Sequence, residues 1–224
     1  MADAHHPAFE EYCEAIFELR EDDLEVIQAR IAERLAVSRP AVSEMIRRLM
    51  ADGLVTADDG VIHLTRKGFS VAEKVVRRHR LAERFLVDIL GLSWAQAHHE
   101  AGKWEHVLSE PVEAAITRML ENPTTCPHGN PIPGSAYDEP SLVALDDLDV
   151  GGRFVITRIP EELEFTPGLL EFLEGNDVVP DRRGEITAVS PDGTITVRIG
   201  GRSVGIGAFA SERILVRAAA LASA

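Results

Sequence analysis

Apolar positions recur at helical spacing along the first half of the chain and alternate beyond about Val150, so the pattern predicts a helical part followed by a smaller β part. A first helix runs through Glu10 to Leu19, with Tyr12, Ile16 and Leu19 on one face, and breaks at Asp22-Asp23. A second covers Val26 to Leu35. Ser38 is placed to cap a third, with Pro40 in its first turn, Val42, Met45, Ile46 and Leu49 turned inward, and Arg39, Ser43, Arg47 and Arg48 mostly outward. After Asp52-Gly53, the segments Leu54–Ala57 and Val61–Leu64 flank an Asp58-Asp59-Gly60 turn and read as a hairpin. Two helices joined by a short turn and followed by a hairpin make a winged helix-turn-helix, which lays its third helix in a DNA major groove and the wing against the backbone.

A long helix is expected from Thr65 to about Leu90, striped by Phe69, Ala72, Val76, Leu86 and Ile89. The next starts at Ser93, where Ser93 and Gln96 form a capping-box pair, and continues to about Ser109; another spans Pro111 to Glu121. Three helices behind a DNA-binding head suit a dimerisation module, because a symmetric pair reads two half-sites. Asn122 to Pro140, rich in Pro, Gly, Asn and Ser, reads as loop and linker. Residues 153–159, 184–189 and 194–199 read as strands, with a short helix near Leu169 to Leu173, and a barrel of about 65 to 70 residues is the simplest fold for them. The expected architecture is mainly α with a small β domain. Its parts are a winged helix-turn-helix head at 1–73, a helical dimerisation domain at 74–136, a linker at 137–149 and a barrel at 150–224.

A chain of 224 residues, 45% apolar and 27% charged, buries a real core. No stretch approaches the roughly 18 apolar residues of a membrane span, and the N-terminus lacks the basic-then-apolar order of a secretion signal, so a cytoplasmic protein with no membrane partner is expected. Cys13 and Cys126 are too few and too far apart for a disulfide framework, which fits a reducing compartment. The net charge of −14 argues against a nucleic-acid partner until its distribution is considered. Between Arg39 and Arg84 stand ten Lys or Arg and six Asp or Glu, a balance of +4, leaving −18 for the remainder. The head therefore carries a local basic footprint.

Candidate chemistry lies on two helices. His79 and Glu83 are four apart and continue the apolar stripe of the long helix, while His98, Gly102, Glu105 and His106 fall on one face of the next. Imidazole with carboxylate suits manganese, iron, zinc or nickel, and two such faces can meet inside a bundle. The sequence lacks a phosphate-cradling glycine loop and a G-x-S-x-G elbow, and Lys103 replaces the second His of a zinc-protease helix at His99-Glu100, so a non-enzymatic role is expected.

These features, with the stretches 30–35 (RIAERL), 79–84 (HRLAER), 104–107 (WEHV) and 129–134 (GNPIPG), resemble the diphtheria-toxin-repressor family of metal-dependent transcriptional regulators, which has iron-dependent and manganese-dependent members. The resemblance implies a homodimer that binds double-stranded operator DNA and represses metal-homeostasis genes when metal is bound, and an SH3-like, FeoA-like C-terminal barrel. It also implies two metal sites. His79, Glu83, His98, Glu161 and Glu164 match the ancillary one; Glu11, position 102, Glu105 and His106 match the primary one. Iron-type members place Met and Cys where this chain has Glu11 and Gly102, and manganese-type members pair two acidic residues on the first helix, as Glu11 and Glu14 do here. Gly102 offers only a carbonyl, a gap Glu14 or water can fill. With no thiolate in the set, the hard donors favour Mn(II), then Fe(II), with Co(II), Ni(II) or Zn(II) as substitutes in vitro. DNA contact falls to Gln28, Ser38, Arg39, Pro40, Ser43, Arg47 and Arg48. The alternatives are a winged-helix regulator of a non-metal ligand, a metalloenzyme, and a metal-transport accessory module built around the barrel.

Overall fold

The computed structural model describes residues 6–219. Helix α1 (Pro7–Glu21) buries Phe9, Tyr12, Cys13, Ile16 and Leu19 against α2 (Gln28–Arg34) and α3 (Arg39–Ala51). The Ser38 hydroxyl accepts from the Ala41 amide at the start of α3, and Pro40 sits in its first turn. Val42, Ile46 and Leu49 of α3 close the core. Strands β1 (Val55–Asp58) and β2 (Val61–Leu64) pair antiparallel, from Val55 opposite Leu64 to Asp58 opposite Val61, and form the wing.

Helix α4 (Arg66–Asp88) is the spine of the molecule and runs unbroken through 73–74. Ala72 packs into the head core, whereas Leu81, Ala82 and Leu86 pack with α5 (Trp94–Trp104) and α6 (Glu110–Met119). The Ser93–Gln96 capping box is present. Helix α5 ends earlier than its pattern predicts: Val107 and Leu108 amides both turn back to the Trp104 carbonyl, leaving Glu105 and His106 in the turn. Glu105 keeps helical dihedrals (φ −55, ψ −35), so the face it shares with His98 persists one residue past the helix.

The stretch after α6 is not a surface loop throughout. Cys126, His128 and Asn130 are buried, the Cys126 amide bonds the Asn130 carbonyl, and the Gly129 amide turns back to Cys126. Gly129 has φ +90, and a Cβ there would lie 2.1 Å from the Thr157 carbonyl oxygen, so only glycine lets this turn press against the β domain. Asn130 explains the burial of so polar a segment: its amide nitrogen donates to the Ile159 carbonyl and to Glu164.

The C-terminal part is a six-stranded antiparallel sheet in the order β3-β8-β4-β5-β6-β7, with β3 (Val143–Ala144), β4 (Arg153–Arg158), β5 (Arg183–Val189), β6 (Ile195–Ile199), β7 (Arg202–Ile206) and β8 (Leu215–Ala219). Alternation reveals three of these strands; β3 lies within the stretch read as linker, and β7 and β8 interleave charged or small residues that blur the period. Short helices α7 (Glu161–Glu164), α8 (Leu169–Gly175) and α9 (Ala208–Ser211) lie between strands. Phe154, Ile156, Ile186, Val197 and Val216 fill the core, and Trp94 of α5 joins it, so the β domain is packed onto the helical part.

Candidate metal centre

Helix α4 presents His79 and Glu83 one turn apart on its buried face. His98 of α5 crosses them: its Nδ1 lies 3.0 Å from Glu83 Oε1 and 3.4 Å from His79 Nε2. From the β domain, α7 brings Glu161 and Glu164 to the same place, with Glu164 Oε2 3.1 Å from His98 Nδ1. Ligand-type atoms of His79, Glu83 and His98, and again of His98, Glu161 and Glu164, lie within 4.8 Å of one another. The five residues matched to the ancillary site from sequence thus converge.

Two further residues converge with them that sequence reading did not single out. Cys126 and His128, from the buried turn, form a group with Glu83 within the same 4.8 Å limit, and His128 Nδ1 is 2.9 Å from Glu164 Oε2. The available signal was a Cys and a His two apart in a turn whose polar composition suggested solvent.

On the head side, Glu14 of α1, His79 and Glu105 make another group within 4.8 Å, so His79 belongs to both neighbourhoods. His106 adjoins it, with Nε2 3.2 Å from Glu105 Oε1. The α1 residue that meets His106 is Glu10, at 2.8 Å from Nδ1. Glu11 and Gly102 are exposed and line the rim of the cleft, of about 630 Å³, that opens onto both neighbourhoods.

The electrostatics are those of an acid-rich pocket short of positive charge. Burial, reinforced by Glu105 and Glu18, pushes the Glu14 carboxyl well above the usual carboxylate range. Burial alone would lower His98, but hydrogen bonds to Glu164 and Glu83 outweigh it and hold the ring up at about 10. Glu83 is held well below its usual range because His128 and His79 overcome the cost of burial. Even so, buried oxygens of Glu14, Glu83 and Glu161 and the Nε2 of His128 find no hydrogen-bond partner. Unpaired buried carboxylate oxygens are costly unless a cation meets them, and these converge from several elements on two adjoining spots. The donor set therefore fits a divalent ion, which competes for the imidazoles with the protons they now carry.

At the other end of the head, Gln28, Ser38, Arg39, Pro40, Arg47 and Arg48 are exposed and Ser43 is half-buried. Arg47 pairs with Glu44 at 2.5 Å, and the Arg48 guanidinium lies 5.1 Å from the Phe9 ring centroid, so both are held at the surface of α3.

Comparison with known proteins matches the same three parts of the chain. Residues 6–59 match the N-terminal DNA-binding domain of iron-dependent repressors, residues 65–134 their metal-binding and dimerisation domain, and residues 143–218 the FeoA domain. The chain is 41% identical over 204 residues to the iron-dependent repressor IdeR of Mycobacterium tuberculosis, covering 86% of this chain and 88% of that protein. It is 36% identical over 213 residues to the diphtheria toxin repressor of Corynebacterium diphtheriae, covering 87% and 90%. Among solved structures, a manganese-dependent transcriptional repressor in complex with manganese superposes with a TM-score of 0.84 at 33% identity, over 94% of this chain and all of that one. With a winged head, a helical middle that gathers imidazoles and carboxylates, and a FeoA-type β domain that adds more, the chain belongs to the iron-dependent repressor family, the metal-dependent transcriptional repressors of the IdeR and diphtheria-toxin-repressor type.

Proposed function

We propose that this protein, as a homodimer, holds its operator when divalent cations occupy the two adjoining neighbourhoods, with Mn(II) preferred to Fe(II). The observation that carries the reading is the set of unpaired buried oxygens on Glu14, Glu83 and Glu161, contributed by the head, the helical part and the β domain, and interleaved with imidazoles. In this reading His79, Glu83, His98, Glu161 and Glu164 hold the inner ion, joined by Cys126 and His128. Glu14, Glu105 and His106 hold the outer one, with Glu11 and the Gly102 carbonyl at the rim. Cys126 brings sulfur into a set that the sequence suggested was free of it, which narrows the margin for manganese over iron or zinc. Its thiol is pushed up to about 11, by burial first and by Glu83 next, and so stays protonated until an ion displaces the proton. The majority of oxygen donors keeps the preference with the harder ion.

A bound divalent ion supplies positive charge where buried carboxylates otherwise repel. Glu14 comes from the head and Glu105 from the helical part, so relief of their repulsion docks α1 on the α4–α5 pair and fixes how the head stands. Couplings of this kind are typically about 1 to 3 kcal/mol and act in both directions, so operator DNA tightens ion binding in return. Ser38, Arg39, Pro40, Ser43, Arg47, Arg48 and Gln28 form the DNA face, and exposed Val107, Val112 and Met119 around α6 supply apolar surface for a second copy.

The test is fluorescence anisotropy on a duplex selected from a random pool in the presence of Mn(II), repeated with Fe(II) under anaerobic conditions, Co(II), Zn(II) and a chelator. Chelation is expected to weaken binding by about tenfold or more, the size of a coupling of roughly 1.4 kcal/mol. Stripped protein that holds the duplex as tightly as loaded protein overturns the reading, as does an intact response in the His79→Ala, His106→Ala double variant.

A further inference from the structure

The segment Glu161–Phe165 faces two ways. Toward the metal cluster it turns Glu161, which pairs with Arg80 at 3.0 Å, and Glu164, which meets His98 and His128. Toward the head, the Glu162 amide donates to Asp22 Oδ2 at 3.0 Å. Phe165 stands between the two. Its ring meets the His98 ring edge-on, with centroids 5.3 Å apart and planes at 86°, and the Arg34 guanidinium lies 4.5 Å from its centroid.

Arg34 is the last residue of α2, immediately before the turn into α3. Its side chain is only 5% exposed and pairs with Glu18 at 2.9 Å, so it is not available to a DNA phosphate. Phe165 itself remains 46% exposed and lines both the metal cleft and a second cleft between head and β domain. A large apolar ring that gains so little burial is held by its two ring partners, an imidazole in the metal cluster and a cation in the helix-turn-helix.

We propose that Phe165 is a positioning residue that couples occupancy of the metal cluster to the stance of the DNA-binding head, through its contacts with His98 and Arg34. The inference rests on the metal-dependent reading above. Phe165 follows Glu164 directly, so a backbone shift that moves the carboxylate facing His98 and His128 also moves the ring. When Glu161 and Glu164 close on the cluster, Phe165 is set against Arg34 and the Glu162 amide against Asp22, which fixes the end of α2 and hence the entry into α3. The β domain thus transmits the state of the cluster to the helix that meets DNA.

The experiment uses the full-length protein as Phe165→Leu, Phe165→Tyr, Arg34→Gln and the Phe165→Leu, Arg34→Gln pair. Calorimetry measures Mn(II) affinity of the free protein. Anisotropy on the selected duplex, with Mn(II) and with chelator, gives the coupling ratio, and amide exchange across residues 34–38 reports head order in both states without DNA. Expected is a ratio lowered by about fivefold or more in Phe165→Leu and in Arg34→Gln, no further loss in the pair, and retention in Phe165→Tyr, which keeps the ring. The Mn(II)-dependent protection of residues 34–38 is expected to vanish in Phe165→Leu. An unchanged ratio in either single variant, losses that multiply in the pair, or an equal loss in Phe165→Tyr overturns the proposal. A wild-type protein without metal dependence would instead sink the reading on which it rests.

Discussion

Glu10 shows how one side chain changes the account of the site. Its carboxylate holds His106 Nδ1 at 2.8 Å while Nε2 faces Glu105, the arrangement in which a carboxylate fixes an imidazole's tautomer and aims the other nitrogen at a metal. Glu10→Gln is expected to lower Mn(II) affinity by about 10- to 100-fold with little change in unfolding midpoint, read by calorimetry beside a urea titration. Gly102 is the converse case. A Cβ there meets nothing within 4 Å, so Gly102→Glu adds a side chain to the cleft rim without a clash. It is expected to tighten Mn(II) binding and to stabilise α5 by about 0.5 kcal/mol, since glycine is a poor helix former; a weaker Mn(II) isotherm would show that the rim takes no part in coordination. At this scale the sequence was only partly legible. Spacing on α4 and α5 exposes His79, Glu83, His98 and Glu105 because neighbours on a helix are set by its period, whereas nothing local distinguishes Glu10 from Glu11 as the partner of His106.

At the level of elements, caps and turns decide where ligands stand. Ser93 and Gln96 each accept from the other's amide at the start of α5, the helix that carries His98 and leads into Glu105 and His106. Ser93→Ala is expected to cost about 1 kcal/mol in chemical denaturation, with metal affinity falling less than in the Glu10 variant because the helix is also held by Trp94, Ala97 and Ala101 in two cores. The helices were readable from their stripes and caps, and the wing from its Asp-Gly turn. Strands β3, β7 and β8 were not, because β3 has only two residues and β7 and β8 interleave charged or small residues that blur the period. The turn at Cys126–Asn130 escaped for a different reason: Pro, Gly and Asn usually mean solvent, and here Asn130 replaces the water by bonding Ile159 and Glu164.

Across the whole molecule, the seam between head and β domain is a buried ionic lattice. Arg80 joins Glu21 of the head to Glu161 of the β domain, and Arg158 joins Glu21 and Asp22 from the other side. Within this seam Glu18 is pushed up to about 8 and Asp22 to about 7, in each case by burial first, with Glu161 adding to it. For carboxyl groups raised on folding, the folded chain holds protons that the unfolded chain has released, so stability is lost as pH climbs from the unfolded values through the folded ones. Metal-free protein is therefore expected to be less stable toward urea at pH 8.5 than at pH 5.5, and Glu18→Gln is expected to flatten that slope; a stability that rises over this window would contradict the burial of these acids.

The order of helices and hairpin, the switch to a β period and the basic segment within an acidic chain are properties of near neighbours along the polymer, and the amino-acid sequence alone determined them. Which distant groups share one pocket was decided only by tertiary packing. The buried turn beneath the β domain supplies Cys126 and His128, α7 delivers two carboxylates to helices far earlier in the chain, and His79 serves two neighbourhoods at once. Hydrophobic periodicity specifies which face of an element is buried but not what it is buried against, and coordination chemistry depends on the second of these.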